Sequence, residues 1–174
     1  SNLPEHSIGR CEVISGKFED NIIPLLRRHI SQYQRLNVFL YVDPYGVKVL
    51  NAKLFDSVAT AFRTAELLIN LNSFGFIREA CRVKKISFRE RESEVFSDLE
   101  EYDSSTMESL QDLDNIAGGS YWQEIIDKYG RGEIDCYDAE KEFSRLYKER
   151  LRKNYTYVLD MPIRLKPGQH PKYR

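Results

Sequence analysis

Val38-Phe39-Leu40-Tyr41-Val42-Asp43-Pro44-Tyr45-Gly46 is the stretch that decides the fold. Its first five residues are apolar or aromatic without alternation, as expected of a strand covered on both faces. Asp43-Pro44 ends that strand. Proline fixes φ and has no N–H to give to a ladder, so the chain must leave the sheet there. Gly46 then allows a turn that residues with side chains resist. A strand that breaks off in Asp-Pro-aromatic places a carboxylate, a rigid turn and a ring at the carboxyl edge of a sheet, where open α/β sheets bind ligands. The same residues are common turn formers, so an ordinary strand-ending turn stands beside the functional reading.

Working outward, the decisive strand spans Leu36 to Val42. Upstream, Glu12 to Ser15 reads as a short strand ended by Gly16. Glu19 to Tyr33 reads as a helix with an apolar stripe at Ile22, Ile23, Leu25, Leu26 and Ile30, and with charges ordered to suit the helix dipole. Downstream, Asn51 to Phe62 predicts a helix, Ala65 to Leu71 a strand, and Phe74 to Val83 a helix capped from Asn72-Ser73. Strand and helix alternating three times argues for a parallel sheet with right-handed crossovers. Residues 1–84 read as the second half of a doubly wound sheet. No GxGxxG or GxxxxGK[ST] loop is present, so the first half is expected before residue 1.

The texture changes near Lys84. Residues 85–117 read as a charged insertion, linker or solvated helix, densest at Arg89-Glu90-Arg91-Glu92 and Glu100-Glu101-Tyr102-Asp103. Order returns in 118–174. Gly118-Gly119 reads as a hinge or cap, Ser120 as the cap of a helix from Tyr121 to Tyr129, and Gly130 as its end. Asp138 to Lys153 predicts a second helix with Phe143, Leu146, Tyr147 and Leu151 on its apolar side. Tyr155 to Leu165 reads as a strand, followed by a turn at Lys166-Pro167-Gly168. Two helices, a strand and a turn resemble a winged helix-turn-helix lacking its last strand.

The chain has 174 residues, 41% hydrophobic and 30% charged, which suits one soluble domain or one with a small appendage. A net charge of -1 gives no global basic field for nonspecific nucleic-acid binding. Cys11, Cys81 and Cys136 show no CxxC spacing, which argues against a zinc site or disulfide scaffold and for thiols in a reducing compartment. His6, His29 and His170 show no metal or nucleophile spacing. No apolar run is long enough to cross a bilayer, and the first residues are no signal peptide. A cytoplasmic protein is expected.

Phe39-Leu40-Tyr41-Val42-Asp43-Pro44-Tyr45-Gly46-Val47-Lys48 resembles the "FIDPFG" block of the three-Cys-motif partner proteins, TcmP. Glu66-Leu67-Leu68-Ile69-Asn70-Leu71 is similar to that family's "EvLiNf" strand. Tyr121-Trp122, the helix Phe143 to Arg152 and Val158-Leu159-Asp160-Met161-Pro162-Ile163-Arg164 follow in the family's order. The resemblance covers the chain from about Cys11 to its end. It implies an α/β fold, part of a Rossmann-like methyltransferase sheet, with a winged-helix-like segment after it. It also implies S-adenosylmethionine as cofactor and a radical-SAM-like three-Cys-motif protein as partner. The family's "DgFAGpG" cofactor loop has no counterpart here. Lys17 stands where relatives often carry an acid that reaches the adenine, and it cannot accept that hydrogen bond. Gly16 and Glu19 are the cofactor candidates, with Asp20 as the alternative acid to Glu19.

The "DPYG" block is similar to the "DPPY" and "DPFG" blocks of enzymes that methylate amines on bases. A base amine is a poor nucleophile while its lone pair is delocalised into the ring. A carboxylate and a carbonyl that accept its N–H bonds localise that pair. Asp43, Pro44 and Tyr45 are thus the candidate methyl-acceptor pocket, with Tyr45 stacking on a base that is unpaired or flipped. Gly46 and Asn70 are candidate substrate contacts, although Asn70 also suits a helix cap. Arg145 and Arg152, with Lys148, Arg150 and Lys153, are candidate phosphate contacts. Asp43 with Glu66 suggests a metal nuclease only weakly, because Leu68 stands where Glu-x-Lys needs lysine. Three functions follow: a methyltransferase acting on an exocyclic amine of a nucleic-acid base, a noncatalytic partner protein that keeps the fold, or a DNA-binding module.

Overall fold

The structure, a computed structural model, describes residues 13–16, 20–22, 24–25, 28, 37–43, 51–89 and 109–163. Their elements run β1 (Asn37–Val42), α1 (Ala52–Ala61), β2 (Thr64–Ile69), α2 (Ser73–Val83), α3 (Leu110–Ala117), α4 (Tyr121–Gly130) and α5 (Cys136–Leu151). Before β1, the backbone is helical at Asp20, Asn21, Ile22, Pro24, Leu25 and Arg28, inside the span expected to be helical. Val13, Ile14 and Ser15 are exposed and form no strand, so the expected first strand is not found over them.

β1 and β2 pair in parallel, from Asn37 opposite Thr64 to Val42 opposite Ile69, with α1 as the crossover. Strand geometry sends alternate side chains to opposite faces. Val38, Leu40 and Val42 face the core with Ala65, Leu67 and Ile69. Phe39, Tyr41 and Leu68 point away and stay exposed. The expected double cover is therefore present on one face only among the described residues. The sequence lacks alternation because the outward positions are apolar as well.

The helices follow local chemistry. Asn51 caps α1 by accepting from the N–H of Lys53 at 2.9 Å. Asn72 caps α2 by accepting from Gly75 N–H at 2.8 Å. Ser109 and Asp112 form a reciprocal capping box on α3. That helix lies in the stretch read as a charged insertion, yet Leu113, Ile116 and Ala117 bury it against α1 and α2. Gly118 ends it at φ 73°, and a Cβ there would sit 2.7 Å from Ala52 Cβ, so both the turn and the close approach need glycine. Ser120 makes no side-chain cap bond, and Gly130 is the last residue of α4 rather than its stop. α5 starts at Cys136, two residues before the expected start, because Asp135 accepts from Tyr137 N–H at 3.0 Å and Asp138 N–H at 2.9 Å.

The core lies among the helices. Phe76 stacks on Phe143 with centroids 4.1 Å apart and meets Trp122 edge-on at 5.9 Å. Trp122 Nε1 donates to Asp114 Oδ1 at 2.8 Å, which satisfies the buried indole. Arg150 clamps the assembly: it forks onto Asp56 of α1 and donates from Nε to Gly118 O at 3.0 Å. Asn154 Nδ2 adds a bond to Asp56 Oδ1 at 2.6 Å. After α5 the expected strand Tyr155 to Leu165 is not formed over its described part, where only Ile163 carries a β-bridge. No wing hairpin follows α5 among the described residues, so what stands is a mixed α/β fold.

Candidate functional site at the carboxyl edge of the sheet

Asp43 is the first residue after β1, and Asn70 the first after β2. Parallel strands end on the same edge, and the register that sets Val42 opposite Ile69 brings these two side by side. Asn70 N–H donates to Val42 O at 2.9 Å, which extends the ladder by one bond. Asn70 Nδ2 then donates to Asp43 Oδ1 at 2.7 Å. The exposed carboxylate is thus oriented by a neutral amide. The helix-cap role open to Asn70 falls to Asn72 instead.

Asn70 Oδ1 is buried and has no hydrogen-bond partner among the described residues. Leaving an acceptor buried and unpaired costs about 1–3 kcal/mol. The outer lone pairs of the exposed Asp43 carboxylate stay open to a group with N–H donors, such as an amine on a base, while Asn70 Oδ1 lies within the protein. Tyr41 joins this edge and was not singled out from sequence. It lies two residues before Asp43 and so shares that residue's face of the strand. Desolvation, followed by the charge of Asp43 and a hydrogen bond to it, holds the Tyr41 phenol above its ordinary range, so it remains a neutral donor at pH 7.

A cavity of about 1020 Å³ lies beside this edge, with Tyr41, Leu68 and Asn70 on one side and Tyr147, Leu159 and Met161 on the other. Pro44, Tyr45, Gly46 and Glu19 lie outside the described residues. Gly16 is described, at φ 121°, but a Cβ there would stand 2.8 Å from Asn21 Nδ2. Asn21 therefore fills the open flank of that turn. The described residues do not by themselves fit S-adenosylmethionine, and no chemical step is assigned to it.

The cations of α5 are largely spent within the fold. Arg145 donates to Glu149 Oε1 at 2.7 Å, and Lys148 to Asp160 Oδ1 at 2.8 Å. Arg150 holds Asp56, and Arg152 donates to Val158 O at 3.4 Å. Neither Arg145 nor Arg152 lines the cavity. Glu66 sits in mid-β2 opposite Phe39, away from the edge that carries Asp43. No cluster of three metal-ligating side chains occurs among the described residues. Cys81 and Cys136 are buried thiols that form no disulfide, and burial, then the neighbouring Cys136, pushes Cys81 up to about 12. No helix among the described residues is long and apolar enough to cross a membrane. Comparison with family models, with curated proteins and with solved structures finds no match to this chain.

Proposed function

We propose that this chain carries the acceptor-recognising part of a methyltransferase-like protein acting on an exocyclic amine of a nucleic-acid base. The supporting observation is the Asp43–Asn70 pair at 2.7 Å, which leaves the outer lone pairs of an exposed carboxylate open. In this reading Asp43, oriented by Asn70, accepts an N–H bond of the amine, which localises its lone pair and orients it for transfer. Tyr41 holds the carboxylate in place. S-adenosylmethionine is the methyl donor that the family resemblance implies, and the Asp43–Asn70 edge bears on the acceptor alone. The proposed setting is the cytoplasm, in keeping with two buried thiols that form no disulfide.

One observation favours a second reading. Asn21 closes the Gly16 turn, which suits a noncatalytic partner protein that keeps the acceptor edge and works with a radical-SAM-like three-Cys-motif protein. The DNA-module reading has less support, because the helix cations it needs are engaged by Glu149, Asp160 and Asp56.

Titration of the full chain with AMP and CMP by NMR tests the acceptor site. Saturable shifts are expected, weakened at least ~10-fold by Asp43→Ala with the fold retained, as loss of a charged hydrogen-bond partner predicts. Shifts that survive Asp43→Ala unchanged remove the reading. Calorimetry with S-adenosylmethionine separates the two roles: heat supports the enzyme, and its absence alongside nucleotide binding supports the partner protein.

A further inference from the structure

We propose that the Asp43 edge selects a base whose amine stands beside a ring N–H, the pair of donors that guanine presents at N2 and N1. The proposal rests on the acceptor reading above and narrows it. Asp43 is exposed at the end of β1. Asn70 Nδ2 takes one lone pair of its Oδ1 at 2.7 Å, and the Tyr41 phenol interacts with the carboxylate as a second donor. An ionised carboxylate has about four lone-pair sites, so about two stay open. No ion pair among the described residues includes Asp43, so its charge is left without a cation.

The donors of this edge are turned to the protein's own groups. Asn70 gives its backbone N–H to Val42 O at 2.9 Å and its side-chain amide to Asp43. Its Oδ1 lies within the protein, buried and unpaired. Reversing the amide would set that oxygen against the Asp43 carboxylate, so the unpaired acceptor is the cost of keeping Nδ2 on Asp43. What the edge turns outward is therefore a negative charge with acceptor lone pairs.

Adenine, cytosine and guanine all carry an exocyclic amine, but its neighbour on the ring differs. In adenine the amine adjoins the N1 lone pair, and in cytosine the N3 lone pair. Against Asp43, either base gives one N–H and turns a ring lone pair toward the second carboxylate oxygen. Guanine gives its amine and its N1–H together, so each oxygen receives a donor, in the fork that arginine also makes with a carboxylate. One more hydrogen bond to a charged group, with one repulsion removed, sets a preference of at least ~10-fold. These donors lie on the Watson–Crick edge, so the base must be unpaired when it binds.

NMR titration of the full chain with GMP, IMP, AMP and CMP, followed at the Asn70 side-chain amide, tests the proposal. The nucleotides share ribose and phosphate, so differences report the base. GMP is expected to bind at least ~10-fold tighter than AMP or CMP, with IMP, which keeps N1–H but has no amine, between them. Asp43→Asn keeps the shape of an exposed side chain, so circular dichroism should not change. Its amide oxygen faces Asn70 Nδ2 and its NH2 turns outward, an acceptor–donor pattern that suits adenine, so the preference for GMP should disappear. AMP or CMP binding as tightly as GMP, with that binding lost in Asp43→Ala, overturns the proposal and leaves the acceptor reading standing. Binding of none of these nucleotides overturns both. Ethylguanidinium binding tighter than GMP gives the fork to an arginine side chain of a protein, which also overturns the proposal.

Discussion

Phe76 and Phe39 are both phenylalanines on regular elements, and they live in opposite environments. Phe76 is wholly buried, stacked on Phe143 and edged by Trp122. Phe39 is 62% exposed on the outward face of a two-stranded sheet. The helical region closes on itself because α2, α4 and α5 bring their apolar stripes to one centre. The sheet region closes on one face only, and its apolar outer face and carboxyl edge stay available. The helices hold most of the buried core, while the described part of the sheet leaves one face and its carboxyl edge exposed.

The contrast sets the largest expected effect. Trp122→Ala should cost about 3–5 kcal/mol in urea unfolding, as large aromatic truncations in closed cores do. Phe39→Ser should stay within about 0.5 kcal/mol, since it removes no buried contact. Comparable losses at both sites would mean that the sheet's outer face is covered in solution.

The clamp between α1 and α5 comes next. Arg150→Ala should cost about 2 kcal/mol, because it leaves Asp56 without its forked partner. Burial raises the Asp56 carboxyl, but hydrogen bonds from Arg150 and Asn154, with the charge of Arg150, more than offset this and leave it below its ordinary value. A carboxyl depressed on folding stabilises above its unfolded pKa and loses that contribution as pH falls through the folded one. Stability should therefore fall below about pH 4, the ordinary carboxylate range. Asp56→Asn should flatten that limb, and denaturant midpoints between pH 2 and 6 read it.

A smaller effect concerns reactivity. With Cys81 pushed up to about 12, its thiolate is scarce at pH 7, and Cys81 and Cys136 should resist iodoacetamide until unfolding. Residue-resolved mass spectrometry checks this, and fast labelling of Cys81 in the folded chain would contradict the burial. The smallest effect on stability is expected at the site itself: Asp43→Ala should cost under about 1 kcal/mol, because Asp43 is exposed and its partner is neutral.

The parallel order was legible because Leu36–Val42 and Ala65–Leu71 are short apolar runs separated by a helical pattern. The Asp43–Asn70 neighbourhood followed from that order, since parallel strands share an edge. Tyr41 was hidden because an aromatic inside an apolar run reads as core, and only the open outer face frees it. Leu110–Ala117 was hidden because three buried residues, Leu113, Ile116 and Ala117, anchor a helix whose other positions are polar. The strand expected from Tyr155 to Leu165 alternates in sequence, but among the described residues only Ile163 carries a β-bridge. The charged row on α5 looked like a phosphate surface because sequence shows charges and not their partners, and Glu149, Asp160 and Asp56 are those partners.

The acceptor edge is tested most directly by comparing AMP with N6,N6-dimethyl-AMP in NMR titrations that follow the side-chain amide of Asn70. The dimethyl analogue keeps the ring and phosphate but has no N–H to give to Asp43. Shifts of the Asn70 amide with AMP, at least ~10-fold weaker with the analogue, are predicted from the lost hydrogen bond to a charged group. Equal binding of the two nucleotides, or an Asn70 amide that does not respond to either, would contradict the account.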